Sequence, residues 1–143
     1  NFIGFRFFNI FGKNQDPSSE YASVISKWSD LLKNKKKIEI YGDGETTRDF
    51  CHINNVVFFI LYSIKKKLNK NEIFNLGSGN SLSLNQLAKI LINNYLQNDN
   101  YLKYVNYKDF KKGDIFKSSS NINKIKRKIY YKIPFNSIKY LKN

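Results

Sequence analysis

Hydrophobic and polar positions run in two rhythms along this chain. Residues 2 to 11, Phe2-Ile3-Gly4-Phe5-Arg6-Phe7-Phe8-Asn9-Ile10-Phe11, are apolar nearly throughout, which predicts a parallel strand covered on both faces. It runs out into Asn9-Ile10-Phe11-Gly12, so an amide and a glycine stand at its carboxyl end, the end at which open α/β sheets bind ligands. After the polar stretch Lys13 to Ser19, apolar Tyr21, Val24, Ile25, Trp28, Leu31 and Leu32 recur at spacings of three and four. That predicts a helix from Glu20 to Lys33 with one buried stripe. Ile38-Glu39-Ile40-Tyr41 alternates with period two, a short strand. A second helix is expected from Ile53 to Lys67, with Val56, Val57, Ile60, Leu61 and Ile64 inward and lysines at its C-terminus, where cations suit the helix dipole. Glu72 to Leu76 reads as another buried strand, followed by Gly77-Ser78-Gly79-Asn80 and a helix from Ser83 to Tyr95 with Ser81 or Ser83 as N-cap. A short strand at 102–107 and two helical pieces, Ser119 to Lys126 and Phe135 to Leu141, complete the pattern. Strands and helices in this order define an α/β chain whose extra short strands lie outside the main sheet.

The stretch with most chemical content is Tyr41-Gly42-Asp43-Gly44-Glu45-Thr46-Thr47-Arg48-Asp49-Phe50, a glycine-bearing polar turn that runs into an apolar segment. The chain uses arginine three times among 25 basic residues, and one of the three stands at this junction. A guanidinium is a planar fork that matches phosphate or carboxylate oxygens, whereas an ammonium is a point charge. Two readings follow. Arg48 holds an anionic ligand, with Tyr41 offering it a flat face, or Arg48 pairs with Asp43, Glu45 or Asp49 and fixes the turn.

Composition narrows the classes. At 143 residues the chain is one domain's worth or part of a larger one, with a formal net charge of +14. That charge invites a polyanion partner, but Lys35-Lys36-Lys37, Lys65-Lys66-Lys67 and Lys111-Lys112 sit at the ends of apolar segments, ordinary solvated positions. Lys, Asn, Ile, Tyr and Phe also have AT-rich codons, and no nucleic-acid module signature accompanies the charge, so no nucleic-acid partner is expected. Cys51 and His52 are each the only residue of their kind, which leaves no disulfide framework, no Cys-based zinc site and few nucleophile–base pairs. No apolar run is long enough for a membrane span, so no membrane partner is expected and cytoplasm is the expected compartment. In Gly77-Ser78-Gly79 the third glycine of a dinucleotide fingerprint would fall on Leu82, so the turn reads as a tight connection. The chain contains no Met and opens on a strand without a preceding cap, which points to a piece whose N-terminal part is missing.

Arg6-Phe7-Phe8-Asn9-Ile10-Phe11-Gly12, Gln15-Asp16-Pro17, Tyr21-Ala22-Ser23-Val24-Ile25, Lys27-Trp28, Gly42 to Cys51 and Gly113-Asp114 together resemble the C-terminal half of the extended short-chain dehydrogenase/reductases. The likeness covers nearly the whole chain in order, and is most similar to the bacterial UDP-N-acetylglucosamine 4-epimerase group. It implies the C-terminal part of a Rossmann-like sheet plus a small α/β substrate-binding lobe, with the N-terminal NAD-binding part missing. Residues 1–143 would then be the substrate-binding portion, with two strands of the parent sheet at about 2–11 and 72–76. The resemblance implies roles as well. Asn9 would bond the diphosphate or sugar, and Phe8 would lie near the nicotinamide. Ser23 and Val24 would line the nucleotide and sugar wall. Tyr41 would stack on the base, Arg48 would clamp the diphosphate with Lys111 as second cation, Asp114 would hold the ribose, and Ser118 would close the pocket.

The implied chemistry is NAD-dependent 4-epimerisation of UDP-N-acetylglucosamine/UDP-N-acetylgalactosamine, or of the plain hexoses, by a parent expected to be a homodimer. The family's glycine-rich NAD loop and Tyr-x-x-x-Lys pair are expected upstream, so no catalytic residue is expected in this chain. The chain alone is expected to be inactive and not to form the native dimer. Lys111 stands where the family has Arg, and Phe116-Lys117 where it has an Arg-His pair. The alternatives are a nucleotide-sugar dehydratase or decarboxylase of the same family, or a basic polyanion-binding module.

Overall fold

The computed structural model describes residues 2–66, 71–98, 100–129 and 136–141. Its first strand, β1 (Ile3–Phe7), pairs in parallel with β6 (Glu72–Leu76) along its whole length, from Ile3 opposite Glu72 to Phe7 opposite Leu76. The predicted strand over residues 2–11 is broken. Asn9 adopts a φ of 31°, left-handed backbone that Asn tolerates better than most residues, and the chain re-enters a separate strand, β2 (Ile10–Phe11). Nor is β1 covered on both faces, since the consecutive Arg6 and Phe7 are both exposed.

Helix α1 (Val24–Lys33) starts later than its apolar spacing predicts, because Ser23 caps it by accepting from the Ser26 amide. Residues ahead of the cap form turns, and Tyr21, expected in the buried stripe, is 89% exposed. Strand β3 (Ile38–Tyr41) buries Ile38 and Ile40 completely and turns Glu39 and Tyr41 outward, as its alternation predicts. It pairs in parallel with β8 (Val105–Lys108), which follows a 3₁₀ turn at Tyr101–Tyr104 where a strand is predicted from 102. Two short strands, β4 (Thr47–Arg48) and β5 (Cys51–His52), flank Asp49-Phe50. β5 pairs with β2, and β4 with β7 (Leu82–Ser83).

Helix α2 (Ile53–Lys65) buries Asn55, Val56, Phe59 and Ser63. Of the predicted inward positions only Val56 is buried; Leu61 and Ile64 are 60% and 69% exposed. The helix is apolar on nearly every side, so periodicity alone does not select the inner face. Helix α3 (Leu84–Leu96) carries a complete capping box between Ser83 and Gln86, which selects Ser83 over Ser81 as N-cap. The C-terminal pieces are α4 (Asn123–Ile129) and α5 (Ser137–Leu141). The predicted end of α2 at Lys67 and the predicted start at Phe135 lie outside the described residues. Among the described residues no helix is long and apolar enough to cross a membrane.

Two apolar clusters meet along residues 47–52. One gathers α1, β3, α3 and β8 around Trp28, Leu32, Ile40, Leu87 and Ile92; the other gathers α2, β6 and α4 around Val56, Phe59, Phe74, Leu76 and Ile125. Phe50 belongs to the first and Cys51 to the second. The Arg48 segment is thus the seam between the two.

Candidate functional site

Arg48 is the centre of the candidate site. Its Nη2 donates to Asp114 Oδ1 at 2.5 Å, while Nη1 donates to the Thr47 carbonyl at 2.9 Å and to the Ile115 carbonyl. The side chains are 17% and 40% exposed, so the pair lies at the surface with the guanidinium tucked beneath the carboxylate. The guanidinium therefore does pair with a carboxylate, but with one 66 residues away rather than with Asp43, Glu45 or Asp49. Asp49 cannot be that partner because consecutive residues of extended chain point to opposite faces. Its carboxylate turns inward to Ser78, Gly79 and Ser120.

The segment carrying Asp114 and Ser118 is strapped to the Arg48 strand. Thr47 N–H donates to the Phe116 carbonyl at 2.9 Å, Ser118 N–H donates to the Thr47 carbonyl at 3.1 Å, and Ser81 Oγ donates to the Ser118 carbonyl at 2.9 Å. Lys111 opens the turn that delivers Asp114, whose N–H donates to the Lys111 carbonyl at 3.1 Å. Tyr41 is exposed on β3 opposite Lys108, from which the chain enters the same loop. Phe110 lies on Gly42, which has a φ of 82°; a Cβ there would sit 2.2 Å from the Phe110 ring, so a residue other than glycine would push the ring away as well as strain the turn. Asn85 at the start of α3 clasps the turn, donating to the Asp43 carbonyl at 3.0 Å and to Glu45 at 2.8 Å.

The structure thus brings Arg48, Asp114 and Ser118 together, with Lys111 and Tyr41 on the loop and strand that lead to them. Asn9 is tied to the same segment by its side-chain amide, which donates to the Asp49 carbonyl at 3.2 Å, and Phe8 is half-buried beside it with its N–H on the Leu76 carbonyl. Ser23 and Val24 sit apart in these contacts. The Ser23 hydroxyl donates to Gln15 Oε1 at 2.7 Å while capping α1, and Val24 packs on the first apolar cluster. A cleft of about 770 Å³ opens elsewhere, among Phe11, Ser26, His52, Leu91, Tyr95 and Tyr140, and none of the predicted site residues lines it.

Sequence reasoning passed over Asp49 as a buried anchor, and Asn85 and Phe110 as clasps. One signal for the first was present: a carboxylate directly before Phe50-Cys51 enters the interior with them and needs donors there.

Other groups are chemically quiet. Burial pushes the Cys51 thiol up to about 12, with the Asp49 charge adding to it, so Cys51 is not a nucleophile. Burial also lowers the His52 pKa, and its Nδ1 accepts from the Asn54 amide, so His52 serves as the N-cap of α2 in its neutral form. The bare spacing Tyr-x-x-x-Lys, expected to be absent, does occur, at Tyr62/Lys66, Tyr104/Lys108 and Tyr107/Lys111. None has the setting of a base. Tyr62 packs against Phe58, Lys103 rather than Lys108 lies over the Tyr104 ring, and Tyr107 is pushed up to about 12, chiefly by burial and by Tyr101.

Among the described residues no group of three or more His, Cys, Asp or Glu is placed to hold a metal. The Gly77–Asn80 turn also offers no dinucleotide cradle, because the Ser78 and Gly79 amides point at Asp49.

The structure is an α/β chain of Rossmann-like type, with an arginine fork on the seam between two apolar clusters and a carboxylate-bearing strap beside it. Residues 1–77 match the NAD dependent epimerase/dehydratase family. The chain belongs to that family. Its fold is similar to UDP-glucose 4-epimerase of Thermotoga maritima, solved with UDP-glucose, at a TM-score of 0.83 and 32% identity, covering 98% of this chain and 43% of that one. It is also similar to UDP-N-acetylglucosamine 4-epimerase of Methanobrevibacter ruminantium, solved with UDP-N-acetylmuramic acid, at a TM-score of 0.77 and 31% identity with the same coverage. A curated relative, human dTDP-D-glucose 4,6-dehydratase, is 36% identical over 104 residues, 68% of this chain and 28% of that protein. The chain thus spans less than half the length of each of these three proteins.

Proposed function

We propose that residues 1–143 form the nucleotide-sugar-holding portion of an NAD-dependent epimerase, with UDP-sugar 4-epimerisation, N-acetylated or plain, as the reaction of the whole protein. The observation that carries this reading is the placement of Arg48 and Asp114 in contact at the surface, beside the strap that bears Ser118. Arg48 supplies a fork for the diphosphate and Lys111 a second cation, Asp114 accepts from the ribose hydroxyls, and Tyr41 offers its face to the base. In this reading Asn9 and Phe8, just past the carboxyl end of β1, meet the sugar and the nicotinamide, and Ser23 and Val24, at the start of α1, line the wall beside the nucleotide and sugar. Bound NAD supplies the hydride chemistry at the sugar, and this chain's residues hold and orient the substrate for it. The exposed apolar stripe of α2 and the free edge of β1 suit burial against a preceding NAD-binding portion of the sheet.

Lys111 in place of arginine gives a single charged contact instead of a fork, weakening that phosphate by on the order of 1 kcal/mol. A dehydratase of the same family is the second reading, favoured by the human relative. The test is calorimetric titration of the chain with UDP, UDP-N-acetylglucosamine and dTDP. Saturable UDP binding that Arg48→Ala abolishes supports the proposal. Preference for dTDP favours the dehydratase reading, and binding of DNA with a steep salt slope but no UDP refutes both in favour of a polyanion module.

A further inference from the structure

We propose that Asp49 is a positioning residue for this site: its buried carboxylate holds the strap bearing Asp114 and Ser118 in place against Arg48. The inference rests on the nucleotide-sugar reading above. Asp49 is fully buried and accepts five hydrogen bonds from two segments remote in sequence. Oδ1 receives the Ser78 amide at 2.7 Å and its hydroxyl at 2.5 Å. Oδ2 receives the Gly79 amide at 3.0 Å, the Ser120 amide at 3.1 Å and the Ser120 hydroxyl. Both carboxylate oxygens thus face N–H and O–H donors from the 78–79 turn and from Ser120. The approach is close enough to exclude a side chain at position 77: a Cβ on Gly77 would lie 2.1 Å from Ser120 Oγ and 2.9 Å from Asp49 Oδ2.

The geometry links this anchor to the outer face. Arg48 and Asp49 are consecutive, so a twist of the segment that displaces one side chain displaces the other to the opposite side. The strap is held at three successive points: the Thr47 amide and carbonyl grip Phe116 and Ser118, and Asp49 grips Ser120. Without the last grip, the strap keeps its contacts to Thr47 and Ser81 but loses the one that fixes its 118–120 end against the interior, and the placement of Ser118 and Asp114 loosens.

Asp49→Asn tests this, because Asn keeps the shape but turns an NH₂ toward N–H and O–H donors. Hydrogen exchange read by mass spectrometry on the 143-residue chain should show the 78–79 and 118–120 amides exchanging about tenfold faster, with α1 and α3 unchanged. UDP affinity, measured well below the melting midpoint where both proteins are fully folded, should fall about tenfold, a loss that a purely structural residue would not cause. If Asp49→Asn does not fold, Ser120→Ala removes one donor and leaves the carboxylate; it should show the same local pattern with about a threefold loss of UDP affinity. Local exchange with unchanged UDP affinity, or exchange rising throughout the chain, overturns the proposal. A wild-type chain that binds no UDP overturns the nucleotide-sugar reading instead, and the exchange pattern alone then decides whether Asp49 holds the strap.

Discussion

Asp114→Asn separates what Asp114 does for Arg48 from what it does for a ligand. In the free chain its carboxylate accepts from Nη2 of Arg48 at 2.5 Å. The pair is partly exposed, so its loss should cost about 0.5–1 kcal/mol and lower the melting midpoint by roughly 2–4 °C. A diphosphate competing for the same guanidinium must displace this carboxylate or approach it. One negative charge about 6 Å from another, at an effective dielectric constant of about 40, repels by about 1.4 kcal/mol, a factor of roughly ten in affinity. Inorganic pyrophosphate should therefore bind Asp114→Asn roughly three- to tenfold more tightly than wild type. UDP should gain less, or lose, because the same variant weakens the proposed ribose acceptor. Titration calorimetry with both ligands at fixed ionic strength gives the ratio of the two affinities, which should shift by about tenfold toward pyrophosphate. If the two ligands change by the same factor, Asp114 is not the ribose contact. If pyrophosphate weakens, the Arg48–Asp114 pair organises the anion site rather than competing with it.

Ile40→Ala should destabilise the chain by about 2–4 kcal/mol, because Ile40 is fully buried in the first cluster, and thermal unfolding should show it as a drop of roughly 10 °C. His52 has a pKa lowered in the folded chain, so the unfolded chain takes up the proton first; stability is fully present above the ordinary value of 6.5 and is lost as pH falls below it. Melting midpoints between pH 8 and pH 5 should decline, and His52→Asn, which retains a capping side chain, should flatten that part of the curve. Cys51 should resist thiol reagents at pH 8 and react at the rate of unfolding, so labelling as fast as a free thiol contradicts its placement. The exposed Val57, Leu61 and Ile64 face of α2 should drive concentration-dependent association, and Leu61→Lys with Ile64→Lys should reduce it in sedimentation velocity.

Local signals in the sequence proved readable where one rule acted alone. Strict alternation marked Ile38–Tyr41, a serine at 81 or 83 ahead of apolar periodicity marked the start of α3, and an isolated arginine beside two glycines marked the Arg48 turn. Reading failed where a choice depended on a distant neighbour. The inner face of α2 is set by β6 and α4, so Asn55 and Ser63 lie inside while Leu61 lies outside. The break at Asn9 lies in an apolar run and shows only as one amide that tolerates a positive φ. The partner of Arg48 was ambiguous for the same reason, since three nearer carboxylates precede or follow it and the one it meets is Asp114.

The seam between the two clusters has a consequence for how the chain folds. Asp49 closes contacts over 29, 30 and 71 residues, and Arg48 over 66. Such loops are entropically costly to close before both flanking clusters have formed, so these contacts should mature late, after Phe50 and Cys51 are each seated. The Arg48–Asp114 contact then marks complete folding: a chain with only one cluster assembled has no formed strap.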